Sequence, residues 1–169
     1  MSDRVPGVDD EAITTFGRLV EVTRRLERVF HATIAQATGL PGSHFELLLR
    51  LGRTPGEQLT SSALAAQLAV TSGGATRLVD RVAAQGLVER RSCTEDRRLS
   101  YVALTAAGRE VLERALEVHR VDLHRELTDR LTADEVARLD ATLDRLRTPC
   151  DTAGIPTGPA AVPATDAVG

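Results

Sequence analysis

Residues 71–105 read TSGGATRLVDRVAAQGLVERRSCTEDRRLSYVALT. Two patterns follow one another in this stretch. Ala75, Leu78, Val79 and Val82 recur at three- and four-residue steps, which predicts an amphipathic helix closed by Gly86. Arg77 and Arg81 stand four residues apart and so share the opposite side. From Leu87 to Cys93 and from Leu99 to Leu104 polar and apolar residues alternate, the period of strands, with a charged tip between them. Arg90, Arg91, Glu95, Asp96, Arg97 and Arg98 crowd into nine positions. Taken alone, the hairpin is accounted for by a salt-bridged surface turn, which adds little stability.

Working outward changes that balance. Upstream, SSALAAQLAV predicts a short helix from Ser61 or Ser62 to Leu68, with Leu64, Ala65 and Leu68 on its inner face. A tight break at Ala69–Thr71 separates it from the next helix. Helix, break, helix and hairpin make a helix-turn-helix followed by a two-stranded wing, with the whole motif spanning residues 61–105.

The flanks are helical. A first long helix runs from about Asp9 to Ala37, its stripe drawn by Ile13, Phe16, Val20, Thr23, Leu26, Phe30 and Ile34. TGLPG (Thr38–Gly42) breaks it. Ser43 and Glu46 then form a capping box opening a short helix, HFELLLRL, and RTPGEQ (Arg53–Gln58) reads as a loop. Thr105 caps a long helix reaching about Leu131, with the stripe Leu112, Leu116, His119, Leu123 and Leu127. TADE (Thr132–Glu135) is a second capping box, starting a last helix with Val136, Leu139, Leu143 and Leu146 at heptad-like spacing. From Pro149 onward four prolines and no arginine mark a disordered tail. The expected organisation is a flexible N-terminus (1–8), one mainly α-helical winged-helix domain (9–148) and the tail (149–169). Within the domain, residues 9–37 and 106–147 are the flanking long helices.

Bulk properties narrow the function classes. The 169 residues suffice for one domain with a real core. No apolar run approaches the roughly 20 residues of a membrane span. The opening MSDRVPGVDDE lacks a secretion-signal pattern, so a cytoplasmic protein is expected. Cys93 and Cys150 belong to no CxxC pair and suggest neither a disulfide framework nor structural zinc. No convergent set of nucleophile, base and metal ligands points to an enzyme, and no cofactor is expected. Net charge is −3, yet residues 61–105 hold six arginines against four carboxylates, a local +2 that leaves −5 elsewhere. All 21 basic residues are arginine. Position therefore carries more weight than arginine count.

The second helix of a helix-turn-helix lies in the major groove, where base edges present a distinguishable pattern of donors and acceptors. Thr71, Ser72 and the free amides of the helix start are suited to phosphates. Gly73 and Gly74 permit close backbone approach, and Thr76 and Arg77 are placed for base edges. Arg81 follows on the same side as Arg77. An arginine on a narrow hairpin tip can enter the minor groove when a nearby carboxylate holds it extended. Asp96 precedes Arg98 by two residues, with Arg97 between them.

TRLVDRVAAQGLVERRSCTEDRRLSYVALTAAGRE resembles the MarR family of winged-helix repressors, regulators that often respond to small phenolic compounds or oxidants. The wing pattern D-x-R-x-x-x-V-x-L-T appears as Asp96, Arg98, Val102, Leu104 and Thr105, and T-R-L-V-D-R is intact from Thr76 to Arg81. The resemblance covers roughly residues 9–147. It implies a homodimer held by its first and last helices on a palindromic operator, with Arg98 in the minor groove and Asp96 as its brace. Two departures stand out. Ala69 occupies a turn usually made by glycine, at a cost of about 1 kcal/mol if it is left-handed. Gly73 and Gly74 offer no side-chain contacts where side chains are usual, shifting base reading toward Ser72, Thr76, Arg77 and the wing.

Effector pockets in this family usually lie between the dimerisation helices and the winged-helix lobe, which makes His31, His44 and Phe45 the candidate ligand residues. His119 reads as a satisfied core or interface histidine. His119 and His124 diverge by about 140° on a helix and cannot share one ion, so no metal site is expected. Cys93 sits beside Arg91, which can lower a thiol pKa, but it reads as a plain surface thiol. The alternatives are a metal- or redox-responsive regulator of the same fold, or a helical interaction module that does not bind DNA.

Overall fold

The computed structural model describes residues 5, 7–92 and 100–147. They divide into two compact units at Arg130 and Leu131. Cys93, Asp96, Arg97, Arg98, Cys150 and the expected disordered tail lie outside the described residues. No helix among the described residues is long and apolar enough to cross a membrane.

The centre of the first unit is α2 (Gly42–Gly52), where Phe45, Leu47, Leu48 and Leu51 are all but inaccessible. A helix apolar on nearly every side must be enclosed by others. The helix does not open on the expected Ser43–Glu46 box. Pro41 occupies the cap, its carbonyl accepting from His44 and Phe45, so Ser43 already lies inside the first turn. Proline's fixed φ suits a helix start and made that register available. Glu46 instead lies 3.6 Å from Arg50, one turn on.

α1 (Glu11–Thr38) is capped by Asp10, whose carboxylate accepts from Ala12 and Ile13, and ends on Gly39 at φ 72°. Only Phe30 and Ile34 of its apolar stripe are buried in this chain, while Ile13, Phe16 and Val22 are exposed. The core brings Ile34 together with the α2 leucines and with Leu64, Val79, Val82, Val102 and Leu112.

The expected loop at 53–58 contains a turn, Pro55–Glu57, and a short strand, β1 (Gln58–Thr60). β2 (Val88–Ser92) and β3 (Ser100–Leu104) form the expected hairpin, and β1 pairs antiparallel with the other edge of β3. The wing is thus part of a three-stranded sheet ordered β1-β3-β2. Three residues carry too little periodicity to announce a strand, and β1 exists because β3 offers it an edge. The hairpin's alternation is not expressed as burial. β3 is central, with Val102, Ala103 and Leu104 covered, whereas β2 is exposed beyond Val88.

α3 (Ser61–Gln67) is capped by Thr60 and buries Leu64 and Ala65. Between it and α4 (Ser72–Ala84), Ala69 adopts φ 52°, the left-handed conformation expected to be costly. Ala69→Gly is therefore expected to stabilise the fold by about 1 kcal/mol, read as a higher urea midpoint at unchanged slope. An unchanged midpoint would show that the turn carries no strain.

α5 (Ala106–Glu126) stops short of the expected Leu131 because Leu127, at φ −125° and ψ −69°, leaves helical space. Its last residue, Glu126, gathers Arg25 of α1 at 2.9 Å, Arg130 at 3.0 Å and Arg125 at 3.1 Å. The Arg125 hydrogen bond first, then the charges of Arg130 and Arg25, hold its carboxyl below the usual range. Arg109, in the first turn of α5, grips both carboxylate oxygens of Glu57. The buried face of α5 follows Gly108, Leu112, Ala115 and Asp122, so Leu116, expected inside, is exposed.

In the second unit, α6 (Ala133–Arg147) opens on the expected box. Glu135 accepts from the Thr132 amide at 2.8 Å, and Thr132 accepts in return from the Glu135 amide at 3.3 Å. Leu139, Leu143 and Leu146 are exposed.

Candidate nucleic-acid interface

α4 projects from the core with Ala75, Leu78, Val79 and Val82 buried and its other side open, as the three- and four-residue spacing requires. Thr71 caps it by accepting from Gly74 at 3.1 Å, which leaves the Thr71 hydroxyl proton free to donate. The amides of Ser72 and Gly73 have no intrahelical partner, and they face outward beside an exposed Gly73 where an added Cβ would touch nothing. This end of the helix presents N–H donors and the positive end of a dipole. The Thr76 hydroxyl donates back to the Ser72 carbonyl at 3.0 Å, so Thr76 offers its methyl group and a lone pair rather than a proton.

The arginines separate into two kinds. Arg90 donates to Asp80 at 2.7 Å, and Arg91 pairs with Glu89 at 2.6 Å. Arg77 and Arg81 are exposed and make no ion pair among the described residues. Sequence spacing placed both on the outer side but could not tell free guanidinium groups from paired ones. The base of the wing is locked to the end of α4. Gly86 closes α4 at φ 71°, and Thr105 both donates to the Gly86 carbonyl at 2.7 Å and accepts from Gly108 at 3.0 Å. Thr105, directly after β3, thus ties the end of α4 to the start of α5. Its role as an α5 cap was legible in the sequence, but its hydrogen bond to Gly86 was not.

A helix-turn-helix with a three-stranded wing sheet recurs in solved structures. A mutant of Escherichia coli MarR in complex with operator DNA is 32% identical with a TM-score of 0.69, covering 81% of this chain and 96% of that one. The chain belongs to the MarR family. The MarR family profile itself matches residues 38–99, from the end of α1 into the wing. Sco3205, a MarR family transcriptional regulator from Streptomyces coelicolor in complex with DNA, is 25% identical with a TM-score of 0.74, covering 86% of this chain and 91% of that one. Among curated sequences, the multiple antibiotic resistance protein MarR of Escherichia coli is 42% identical over 79 residues, 47% of this chain. The chain spans about half, 55%, of the length of that relative. The transcriptional repressor YetL of Bacillus subtilis is 30% identical over 112 residues, 66% of each chain.

Within this MarR-family fold the three candidate ligand residues occupy different settings. Phe45 is part of the core, His44 is buried with its Nδ1 3.2 Å from Oε1 of Gln85 at the end of α4, and His31 lies half-buried against Gly42. His119 is not the satisfied histidine expected. It meets the rings of Phe30 and Phe45 edge-on, with centroids 5.0 and 5.1 Å away, and its buried Nδ1 has no partner among the described residues. His124 is exposed and pairs with Thr128, consistent with the divergence of the two rings. Among the described residues no three His, Cys, Asp or Glu side chains gather as a metal site would require.

Burial pushes the His119 pKa below its ordinary 6.5, against the opposing pull of Glu46 and Asp122. The unfolded chain therefore takes up a proton that the folded chain refuses as pH falls below about 6.5, and stability declines there. His119→Leu is expected to flatten the urea-midpoint profile between pH 6.5 and 5 while leaving the slope at higher pH unchanged. A parallel profile for wild type and variant would remove His119 as the cause.

Proposed function

We propose that this chain is a homodimeric DNA-binding transcriptional regulator that represses from a palindromic operator in the cytoplasm. The observation that carries this reading is the outer side of α4. Arg77 and Arg81, unpaired among the described residues, and the helix-start amides stand on one exposed surface, beside a hairpin anchored to the same helix. Regulators of this fold have been solved on DNA, and a relative of 30% identity is named a repressor, which supports the direction of control. Thr71, Ser72, Gly73 and Gly74 would meet phosphates, Thr76 and Arg77 base edges, and Arg81 and Arg97 the backbone. Arg98 would enter the minor groove, braced by Asp96.

Dimerisation follows from uncovered apolar surface. Ile13, Phe16, Leu19 and Val22 are exposed on α1, and Leu139, Leu143 and Leu146 on α6. A two-fold partner would bury both sets. A small-molecule effector that releases the operator belongs to the same proposal.

The test is a footprint on the DNA flanking the chain's own gene, with sedimentation of the same protein. A protected palindrome and a dimer at micromolar concentration are expected. Arg98→Ala should make the salt dependence of binding shallower by roughly 1 to 2 units, one contact per wing. Asp96→Ala removes a negative charge, yet bracing requires weaker binding, and adding it to Arg98→Ala should change little. Absence of any protected site, or full operator affinity in a stable monomer, would overturn the proposal.

A further inference from the structure

Thr76 is exposed one turn into α4, and its hydroxyl donates to the Ser72 carbonyl at 3.0 Å. A hydroxyl has one proton to give. With that proton engaged inside the helix, the side chain has no donor for a base edge. It offers a methyl group and the remaining acceptor capacity of Oγ1. Threonine is stiff at χ1, so a helix holds this arrangement with little further loss of freedom.

The side chain is short, and it reaches a base only where the backbone beneath it comes close to the DNA. A helical side chain leans over the turn N-terminal to its own Cα, which for Thr76 is the turn holding Gly73, three residues back. Nothing in the chain itself requires that glycine. A Cβ on Gly73 would meet nothing within 4 Å, and Gly73 is not among the glycines at positive φ. Glycine also weakens a helix relative to alanine. A glycine needed neither for packing nor for backbone conformation fits a position where another surface approaches closely.

We infer that Thr76 reads the C5-methyl group of one thymine in each half of the operator, by apolar contact and not by a hydrogen bond. This rests on the reading of the chain as an operator-binding regulator. In the major groove thymine alone among the four bases presents a methyl group, which separates T·A from the other pairs. Gly73 lets the two methyl groups meet, and their contact excludes water from both. The acceptor capacity of Oγ1 could instead take a proton from an adenine or cytosine amino group, so the test separates the two halves of the side chain.

Operators in which one thymine per half-site is replaced by deoxyuridine keep every hydrogen-bonding group and lose only two methyl groups. Binding of the full chain to such a series is measured by fluorescence anisotropy at fixed salt. At one symmetric position deoxyuridine should weaken binding by about fourfold per half-site, hence roughly ten- to twentyfold for the pair. Thr76→Ser keeps the hydroxyl and deletes the methyl group. It should bind the natural operator as weakly as the wild-type chain binds the deoxyuridine operator, and should not distinguish the two, because both changes remove one contact. Thr76→Val keeps the methyl group without the hydroxyl and should retain the discrimination. Both substitutions are at an exposed position, and their urea midpoints should match the wild type. Equal binding of every deoxyuridine operator, discrimination that survives Thr76→Ser, or discrimination lost in Thr76→Val would each overturn the inference while leaving operator binding in place. A chain that binds no operator would overturn the underlying reading, and this inference with it.

Discussion

Arg77→Ala is expected to weaken operator binding by about 1–3 kcal/mol in each half-site, if the guanidinium group forks onto a guanine. A two-fold complex loses the contact twice, so affinity should fall by roughly 30-fold to 10⁴-fold. The side chain is exposed on α4 and has no competing ion pair among the described residues, so it need not break a protein contact to reach a base. Arg90 is the internal comparison. It is held at 2.7 Å by Asp80, and its removal should cost operator affinity much less. Binding to a set of operators altered one base pair at a time distinguishes the roles. Loss of discrimination at one position per half-site marks a base contact. Uniform weakening across all sequences, with a shallower salt slope, would make Arg77 a phosphate contact instead.

Gly108→Ala should destabilise the fold by about 3 kcal/mol or more, with the loss centred on the base of the wing. A Cβ at this position would lie 2.0 Å from the Leu87 carbonyl oxygen, an atom of the backbone leading into β2. The opposing effect is alanine's better helix propensity, worth at most about 1 kcal/mol, and the overlap far exceeds it. Gly73→Ala provides the control, because an added Cβ there meets nothing within 4 Å. It should be neutral or stabilising in urea unfolding. If Gly108→Ala matched Gly73→Ala, α5 would not be seated on the wing base as described. A milder sign of the same damage would be retained secondary structure with weakened DNA binding, since Thr105 and Gly108 are the joint between α4 and α5.

The periodicity of residues 71–105 was enough to read α4, its buried Ala75, Leu78, Val79 and Val82, its closure on Gly86 and the two strands of the hairpin. Each of these depends on spacing and on glycine's access to positive φ, which are local properties of the chain. The same holds for the Thr132–Glu135 box and for the strained Ala69. The wing motif with T-R-L-V-D-R carried the family. Other features depended on what each residue meets in the folded chain. β1 required β3 as a partner, and three residues could not announce it. The Ser43–Glu46 box lost to a cap at Pro41, two residues earlier, because two overlapping caps cannot be ranked by pattern alone. Phe30 and Ile34 are buried and Phe16 is exposed on one continuous stripe, because only the C-terminal part of α1 meets the rest of its own unit. Which arginines are paired among the described residues was settled by where the carboxylates of Asp80 and Glu89 fall. His119 was legible as inward-facing, but its unpartnered Nδ1 was not, since hydrogen-bond satisfaction is set by neighbours distant in the chain. The sequence determined the elements and the family through short-range spacing, and the tertiary structure decided pairing, exposure and charge neutralisation, which arise only when distant segments meet.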